Sequence, residues 1–188
     1  PIEVRFYLGA FEIFRRLNGA GTVTLEAETL HILDDKLRIA LVETRTRGDD
    51  GSPVELIRYQ FGNHLSSASL ELDGTGQIIS YEEYYPYGST CYQSVRSQTD
   101  GAKPYRYRGM ERDEESGLYY HGARYYAPWL AMWVSCDPAN FDPLARALKS
   151  SYAAFALNPV QYGDPDGAEP EKPQIPGQPR NPGSLWER

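Results

Sequence analysis

Residues 105–129 read YRYRGMERDEESGLYYHGARYYAPW and carry most of the information about the fold. Tyrosine, arginine, glycine and acidic residues recur here at fixed offsets, and tyrosines are paired at 119–120 and 125–126. Tyrosine suits the half-buried face of a β-sheet, because the ring packs while the hydroxyl keeps a hydrogen-bond partner. This segment is therefore too regular for an ordinary surface loop, and its tyrosines indicate packing on sheet faces.

The residues before this segment alternate between apolar and polar side chains with a period of two, which is typical of β-strands. Val23, Leu25 and Ala27 share one face of a strand, and residues 59–88 contain two such runs around the turn sequence DGTG at 73–76. Two alternating runs around a glycine-rich turn predict a β-hairpin. Because a single hairpin cannot bury a face, we expect a longer protein to supply neighbouring hairpins.

Residues 111–129 resemble the core signature of RHS/YD-repeat proteins, the bacterial shells that enclose a toxin, and the hairpin at 59–88 looks like one YD repeat. The resemblance implies a mainly β fold: antiparallel hairpins of an RHS/YD-repeat β-sheet shell, with a short helical segment near the C-terminus. It divides the chain into β-hairpins preceding the core at 1–54, the YD repeat and RHS repeat-associated core at 55–167, and a Pro-rich tail or linker at 168–188.

The helical segment is predicted at residues 144–157, where alanine favours a helix and apolar residues share one helical face: Leu144, Leu148, Tyr152 and Phe155. In the tail, proline recurs at every third position from Pro170 to Pro182, which matches the three residues per turn of a polyproline II helix. This spacing indicates a stiff spacer, or a disordered linker in which the period is a coincidence.

The resemblance also implies a self-cleaving aspartyl-protease site, which in this family uses two Asp-Pro steps and an arginine. By position, the aspartates are Asp137 in SCDP and Asp164 in DPDG, and the arginine is Arg124 in ARYY. Two carboxylates held close together share a proton, so that one can activate water while the other protonates the leaving nitrogen. The arginine would hold one carboxylate ionised or stabilise the oxyanion. The alternative is that both aspartates are turn residues before proline.

The family cuts behind the Asp-Pro-x-Gly motif, after a bulky apolar residue that follows the glycine. The implied scissile bond is Ala168–Glu169, with Gly167–Ala168 as the second choice. Ala168 departs from the family pattern, because its small side chain would fill a hydrophobic pocket poorly. The sequence therefore leaves open a shell segment of the same fold that does not cut its own chain.

The other motif residues are expected to be structural: Glu111, Arg112, Asp113, Tyr119, Tyr120, Tyr125, Tyr126 and Trp129. The charge run at 111–115 is interpreted as solvated surface or as a structural ion-pair cluster. The tyrosine pairs indicate packing on sheet faces. A third alternative is a carbohydrate-binding YD-repeat surface module, in which tyrosines of these pairs would stack on sugars.

Composition narrows the range of partners. The 188 residues carry a net charge of −7 without a basic stripe, which argues against nucleic acid, and no apolar run is long enough to span a membrane. Two cysteines, Cys91 and Cys136, are too few for a disulfide framework or a structural zinc site, and no metal or cofactor is predicted. The expected partners are the remainder of the RHS shell and its enclosed C-terminal toxin cargo, together with toxin-complex or secretion-system components that would deliver the protein outside the cell.

Overall fold

The computed structural model describes residues 1–34, 37–96, 104–138, 150–168 and 170. These residues are mainly antiparallel β-structure, as the sequence predicts, and they form two sheets. The larger sheet has eight strands: β1 (Ile2–Leu8), β2 (Phe11–Leu17), β3 (Val23–Asp34), β4 (Leu37–Arg47), β5 (Glu55–Gly62), β6 (Ala68–Leu72), β7 (Ile78–Tyr84) and β8 (Thr90–Val95).

The eight strands lie side by side in sequence order, and each pair of neighbours is antiparallel. The turn between β6 and β7 illustrates how the sequence sets these reversals. Asp73 Oδ1 accepts hydrogen bonds from the backbone N–H groups of Thr75 at 2.9 Å and Gln77 at 3.0 Å. Gly76 takes a φ of +80°, which glycine adopts without strain. The hairpin predicted at 59–88 is present.

The tyrosine-rich motif forms a second, smaller sheet of four short strands in the described residues: β9 (Glu111–Arg112), β10 (Tyr119–Tyr120), β11 (Tyr125–Ala127) and β12 (Met132–Trp133). Tyr119 lies opposite Tyr126, which in turn lies opposite Trp133. Because side chains alternate between the two faces of a strand, these three point to one side of the sheet. Tyr120 and Tyr125 point to the other side and are about half exposed.

The inward-pointing side chains build an aromatic core, whose buried members are Tyr107, Tyr119, Tyr126, Trp133, Ala154 and Phe155. The Tyr126 and Phe155 rings meet edge to face with centroids 4.8 Å apart, an arrangement that aromatic pairs favour. Gly88 lies directly against this core. A Cβ atom at that position would be 2.5 Å from the Tyr107 ring, so the close approach requires glycine.

Charged side chains fix the motif to the large sheet. Arg106, only 1% exposed, donates to Glu82 Oε1 at 3.5 Å and to Glu114 Oε1 at 2.5 Å. Tyr105 donates its hydroxyl hydrogen to Glu12 Oε2 at 2.9 Å. Buried charges are tolerated only with such partners, so these contacts specify how the motif sits on the sheet.

The opposite face of the large sheet is apolar and open. The register aligns Phe61, Leu70 and Tyr81 across β5, β6 and β7, and Phe61 remains 52% exposed. The first and last strands, β1 and β8, have no further neighbouring strand among the described residues. Within the part of the chain that the structure describes, the sheet therefore presents two free edges and one uncovered apolar face.

The structure differs from the sequence prediction at the helix. Residues 144–149 lie outside the described residues, as does the tail from 171 onwards. Between 150 and 157 the α-helix prediction is wrong: the chain makes a β-bridge from Ala153 to Met132 and one turn of 3-10 helix at Phe155–Leu157. Phe155 is almost fully buried in the aromatic core, and this packing overrides the helix propensity of the alanines. The short helical segment near the C-terminus is this single turn.

Candidate active site

Arg124 lies at the centre of the candidate site, after a tight turn that links β10 to β11. The His121 N–H donates to the Arg124 carbonyl at 3.0 Å. Gly122 has a φ of +86°, which permits this turn. The turn directs Arg124 inward, where its guanidinium carbon lies 4.3 Å from the centre of the Trp133 ring.

The Arg124 guanidinium contacts both predicted catalytic aspartates. Its Nη1 lies 3.3 Å from Asp137 Oδ2, and its Nη2 donates to Asp164 Oδ2 at 3.2 Å. Its Nε donates to the carbonyl oxygen of Gly167 at 2.5 Å. One buried side chain therefore joins two carboxylates to the backbone of the predicted cleavage segment.

The two aspartates have different surroundings. The Asp164 side chain is 1% exposed and that of Asp137 is 14% exposed. Burial, together with the neighbouring Asp166 carboxylate, raises the pKa of Asp164 to about 7 against the opposing effect of Arg124. Among the described residues no donor group reaches Asp164 Oδ1, and a hydrogen bond between the Asp164 and Asp166 side chains favours the protonated form of Asp164. Both aspartates pair with Arg124, and the more deeply buried Asp164 is the one suited to carry a proton.

Asp137 is placed by the strand that precedes it and by the segment that leads towards Asp164. The Asp137 N–H donates to the Ser151 carbonyl at 3.0 Å, and the Trp133 N–H donates to the Tyr152 carbonyl at 3.0 Å. These backbone hydrogen bonds hold the first Asp-Pro segment beside the part of the chain that leads towards the second. The aspartates are far apart in sequence but reach the same guanidinium.

The turn at 121–124 holds the DPDG backbone at three carbonyl groups. Nδ1 of His121 lies 2.6 Å from the Asp164 carbonyl oxygen, and the Ala123 N–H donates to the Asp166 carbonyl at 2.9 Å. The third is the Gly167 carbonyl, which Arg124 binds. The turn thus holds the backbone by hydrogen bonds from Asp164, the predicted acid, to Gly167, in the predicted cleavage segment.

The predicted cleavage residues, 167–169, come directly after Asp166 in the chain. Gly167 has a φ of +71°, and a Cβ atom there would lie 2.9 Å from the His121 carbonyl oxygen, so the close contact requires glycine. The Ala168 N–H donates to Asp166 Oδ1 at 3.0 Å. Glu169, the residue after the first-choice bond, lies outside the described residues.

The acidic and basic residues of the core motif make separate local contacts. Glu111 accepts a hydrogen bond from the Tyr7 hydroxyl at 2.8 Å. Arg112 Nη1 lies 3.8 Å from Glu114 Oε2. Asp113 closes a turn, since its side chain accepts the Ser116 N–H at 3.2 Å. These residues join strands and turns and do not contact Arg124 in the contacts described.

The aromatic residues of the motif divide between core and surface. Tyr119 and Tyr126 are buried in the aromatic core, which excludes them from any sugar-stacking surface. Tyr120 and Tyr125 are exposed, with ring centroids 5.2 Å apart. Trp129 is 57% exposed.

The sequence pattern assigns no role to His121 at this site. The available signal was its position three residues before Arg124, a spacing that a tight turn can bring together. This spacing places His121 in the site only if the DPDG segment docks against the same turn. The local sequence does not determine where that segment docks.

No group of three or more His, Cys, Asp or Glu side chains in the described residues could hold a metal ion. No helix in the same part of the chain is long and apolar enough to cross a membrane.

Comparison with known proteins found clear relatives, although no family model matches the chain. Toxin subunit YenC2 of Yersinia entomophaga is 37% identical over 175 residues, covering 90% of this chain and 17% of that protein. The crystal structure of TcdB2-TccC3 superposes with a TM-score of 0.78 at 37% identity, covering 88% of this chain and 8% of that chain. This chain belongs to the RHS-repeat proteins.

A second relative of this RHS-repeat chain, toxin subunit YenC1 of Yersinia entomophaga, is 46% identical over 126 residues. That match covers 64% of this chain and 12% of YenC1. The chain therefore spans less than a fifth of the length of the toxin subunits it matches. Its homology is to components of toxin complexes.

Proposed function

We propose that this RHS-repeat chain is the C-terminal part of a cocoon that encapsulates a C-terminal toxin and cuts its own backbone behind the DPDG motif. The observation that carries the self-cleavage proposal is the Arg124 guanidinium, which contacts Asp137, Asp164 and the Gly167 carbonyl at once. An acid, a base and a polarised peptide carbonyl are the groups that an aspartyl-type hydrolysis needs.

In the proposed reaction, the Asp137 carboxylate removes a proton from a water molecule as its oxygen attacks the scissile carbonyl carbon. Arg124 stabilises the negative charge that develops on the carbonyl oxygen. Asp164, protonated at Oδ1, then gives its proton to the leaving nitrogen as the C–N bond breaks. The products are a new C-terminal carboxylic acid and a new N-terminal amine.

The cut would fall at one of two neighbouring peptide bonds. The family pattern supports Ala168–Glu169. The hydrogen bond from Arg124 Nε to the Gly167 carbonyl supports Gly167–Ala168, because a nucleophile attacks the carbonyl that is polarised. The last residue of the N-terminal product, read by mass spectrometry, distinguishes the two bonds.

The shell role is supported by the free edges and the open apolar face of the large sheet. Strands β1 and β8 are available for pairing with the remainder of an RHS shell. Residues beyond the cut would belong to the released product, and the Pro-rich segment from 170 would be the spacer between the cut and the cargo. The relatives are toxin-complex subunits, so we infer secretion or delivery by a toxin-complex or secretion apparatus.

The test uses the full-length parent protein, examined by gel electrophoresis and intact-mass analysis after synthesis. We expect a break at 167 or 168 in the parent and none in the Asp137→Asn or Asp164→Asn variants. Asp49→Asn is the matched control, because its side chain is 79% exposed and distant in sequence from the site residues. An intact wild-type parent would falsify self-cleavage and leave a non-cleaving shell segment of the same fold.

A further inference from the structure

His121 is a buried group that the hydrolysis described above does not use. Its side chain lies in an aromatic cage, with its ring 5.0 Å from the Trp133 ring and at 89° to it. The Phe155 and Tyr126 rings lie 6.1 Å and 6.0 Å away. Its exposure is only 1%, so the ring has little freedom to rotate.

The hydrogen bonding of His121 defines its tautomer. Nδ1 lies 2.6 Å from the Asp164 carbonyl oxygen, which can only accept, so Nδ1 carries the hydrogen. Burial lowers the pKa of His121 to about 4, which keeps the ring neutral and leaves Nε2 without a proton. Nε2 has no partner among the described residues. The ring therefore makes one directed polar contact, and that contact is with the backbone of the predicted acid.

The same tryptophan ring supports His121 and Arg124. Trp133 packs edge-on against His121 and lies under the Arg124 guanidinium. His121 fixes the main chain of Asp164, while Arg124 fixes its carboxylate at Oδ2. Because the main chain and Oδ2 of Asp164 are both held, the direction of its other carboxylate oxygen, Oδ1, is fixed as well.

We propose that His121 is a positioning residue for self-cleavage: its Nδ1–H holds the Asp164 carbonyl and thereby aims the Asp164 acid at the cleavage segment. The inference rests on the self-cleavage proposed above. It assigns His121 no proton transfer, since Nδ1–H binds a carbonyl oxygen and the ring stays neutral.

The test compares two substitutions of His121 in the full-length parent. His121→Asn keeps an N–H donor in the place of Nδ1, because its amide nitrogen is bonded to Cγ as Nδ1 is. His121→Phe keeps an aromatic ring in the cage and removes the donor. We expect His121→Asn to cut within about threefold of the wild-type rate and His121→Phe to cut at least about tenfold more slowly. Tyr120→Phe, at the exposed neighbouring position, is the matched control and should cut at the wild-type rate.

A second measurement works whether or not the parent cuts itself. Hydrogen exchange of the peptide covering 160–168, followed by mass spectrometry, reports the anchoring of the DPDG backbone. We expect exchange at least about fivefold faster in His121→Phe than in wild type, and about unchanged in His121→Asn. Equal behaviour of the Asn and Phe variants in this measurement overturns the positioning role. An uncut wild-type parent with the expected exchange pattern overturns self-cleavage but retains the anchoring by His121.

Discussion

Asp137 and Asp164 carry identical side chains in different surroundings, and the proposed mechanism gives them different roles. Asp164 is enclosed and has a raised pKa of about 7, whereas Asp137 keeps some contact with solvent beside Arg124. Two neighbouring carboxylates with unequal environments are a recurrent way to place an acid and a base in one site. The proposed division of work follows from burial rather than from residue type.

The raised pKa of Asp164 predicts a pH dependence of self-cleavage. Because the pKa lies above its usual value, the proton needed for the leaving nitrogen is present below about pH 7 and is lost as the pH rises through that value. We expect the rate to fall about tenfold per pH unit above 7. The measurement is the cleavage rate of freshly synthesised parent transferred to buffers from about pH 5 to 9. Asp49→Asn should give the wild-type profile, and a rate that rises through pH 7 would contradict the assignment of Asp164 as the acid.

Sequence predicted part of the site and missed another part for a physical reason. Arg124, Asp137 and Asp164 could be assigned by position in family motifs, and the structure brings them together. His121 and Trp133 could not be assigned to the site, because their contribution depends on how a distant loop docks against the 121–124 turn. That docking uses backbone carbonyl groups of the DPDG segment. Because every residue has a carbonyl group, these contacts cannot be predicted from residue types.

At the scale of elements, the joint between the tyrosine-rich motif and the large sheet depends on buried charge. Arg106 reaches from the motif to Glu82 on β7, whose side chain is fully enclosed. Removing one partner of a buried ion pair leaves the other without compensation in a poorly solvated site. The joint therefore combines these buried polar contacts with the packing of Tyr107 against Tyr84 and Gly88.

We expect Arg106→Met to destabilise the joint by about 3 kcal/mol, because Glu82 remains buried without its cation. Arg16→Met is the control: its pair with Glu3 is largely exposed and should contribute less than about 1 kcal/mol. The measurement is the free energy of opening of β7 by native-state hydrogen exchange. Equal effects of the two substitutions would show that the Arg106 contact is replaceable.

The elements themselves were predictable to different degrees. Period-two alternation predicts the hairpins well, because each strand buries one face and turn residues such as Asp73 act locally. The helix predicted at 144–157 is wrong between 150 and 157, which shows the limit of local helix propensity. Ala153 and Phe155 were assigned to a helix, yet one pairs with Met132 and the other fills the aromatic core. Tertiary contacts, which are absent from local sequence, determined this segment.

At the scale of the whole molecule, the large sheet is unfinished in the described residues. Strand β1 lies at one edge with Ile2 and Phe6 on an exposed face, and β8 lies at the other edge. Unpaired edges with apolar side chains promote association with other strands. Such edges are consistent with a chain that spans only a small part of its relatives.

We expect the chain of residues 1–188, produced alone, to associate in solution. Ile2→Lys with Phe6→Lys should reduce the association, because charged side chains on an edge strand oppose pairing. Gly19→Lys is the control, since this position lies in an open turn between strands. Light scattering coupled to size-exclusion chromatography measures the mass. A monomer that melts cooperatively without substitutions would contradict the interpretation as a shell fragment.

If the chain cuts itself as proposed, the product stays beside the group that helped to make it. A cut at 167 or 168 would create a terminal carboxylate next to Arg124, which already contacts both aspartates. An ion pair between the new carboxylate and the guanidinium would keep the severed end in the place that a second peptide would need. Under the proposed mechanism each chain would therefore cut itself once and would not act as a protease on the surrounding shell.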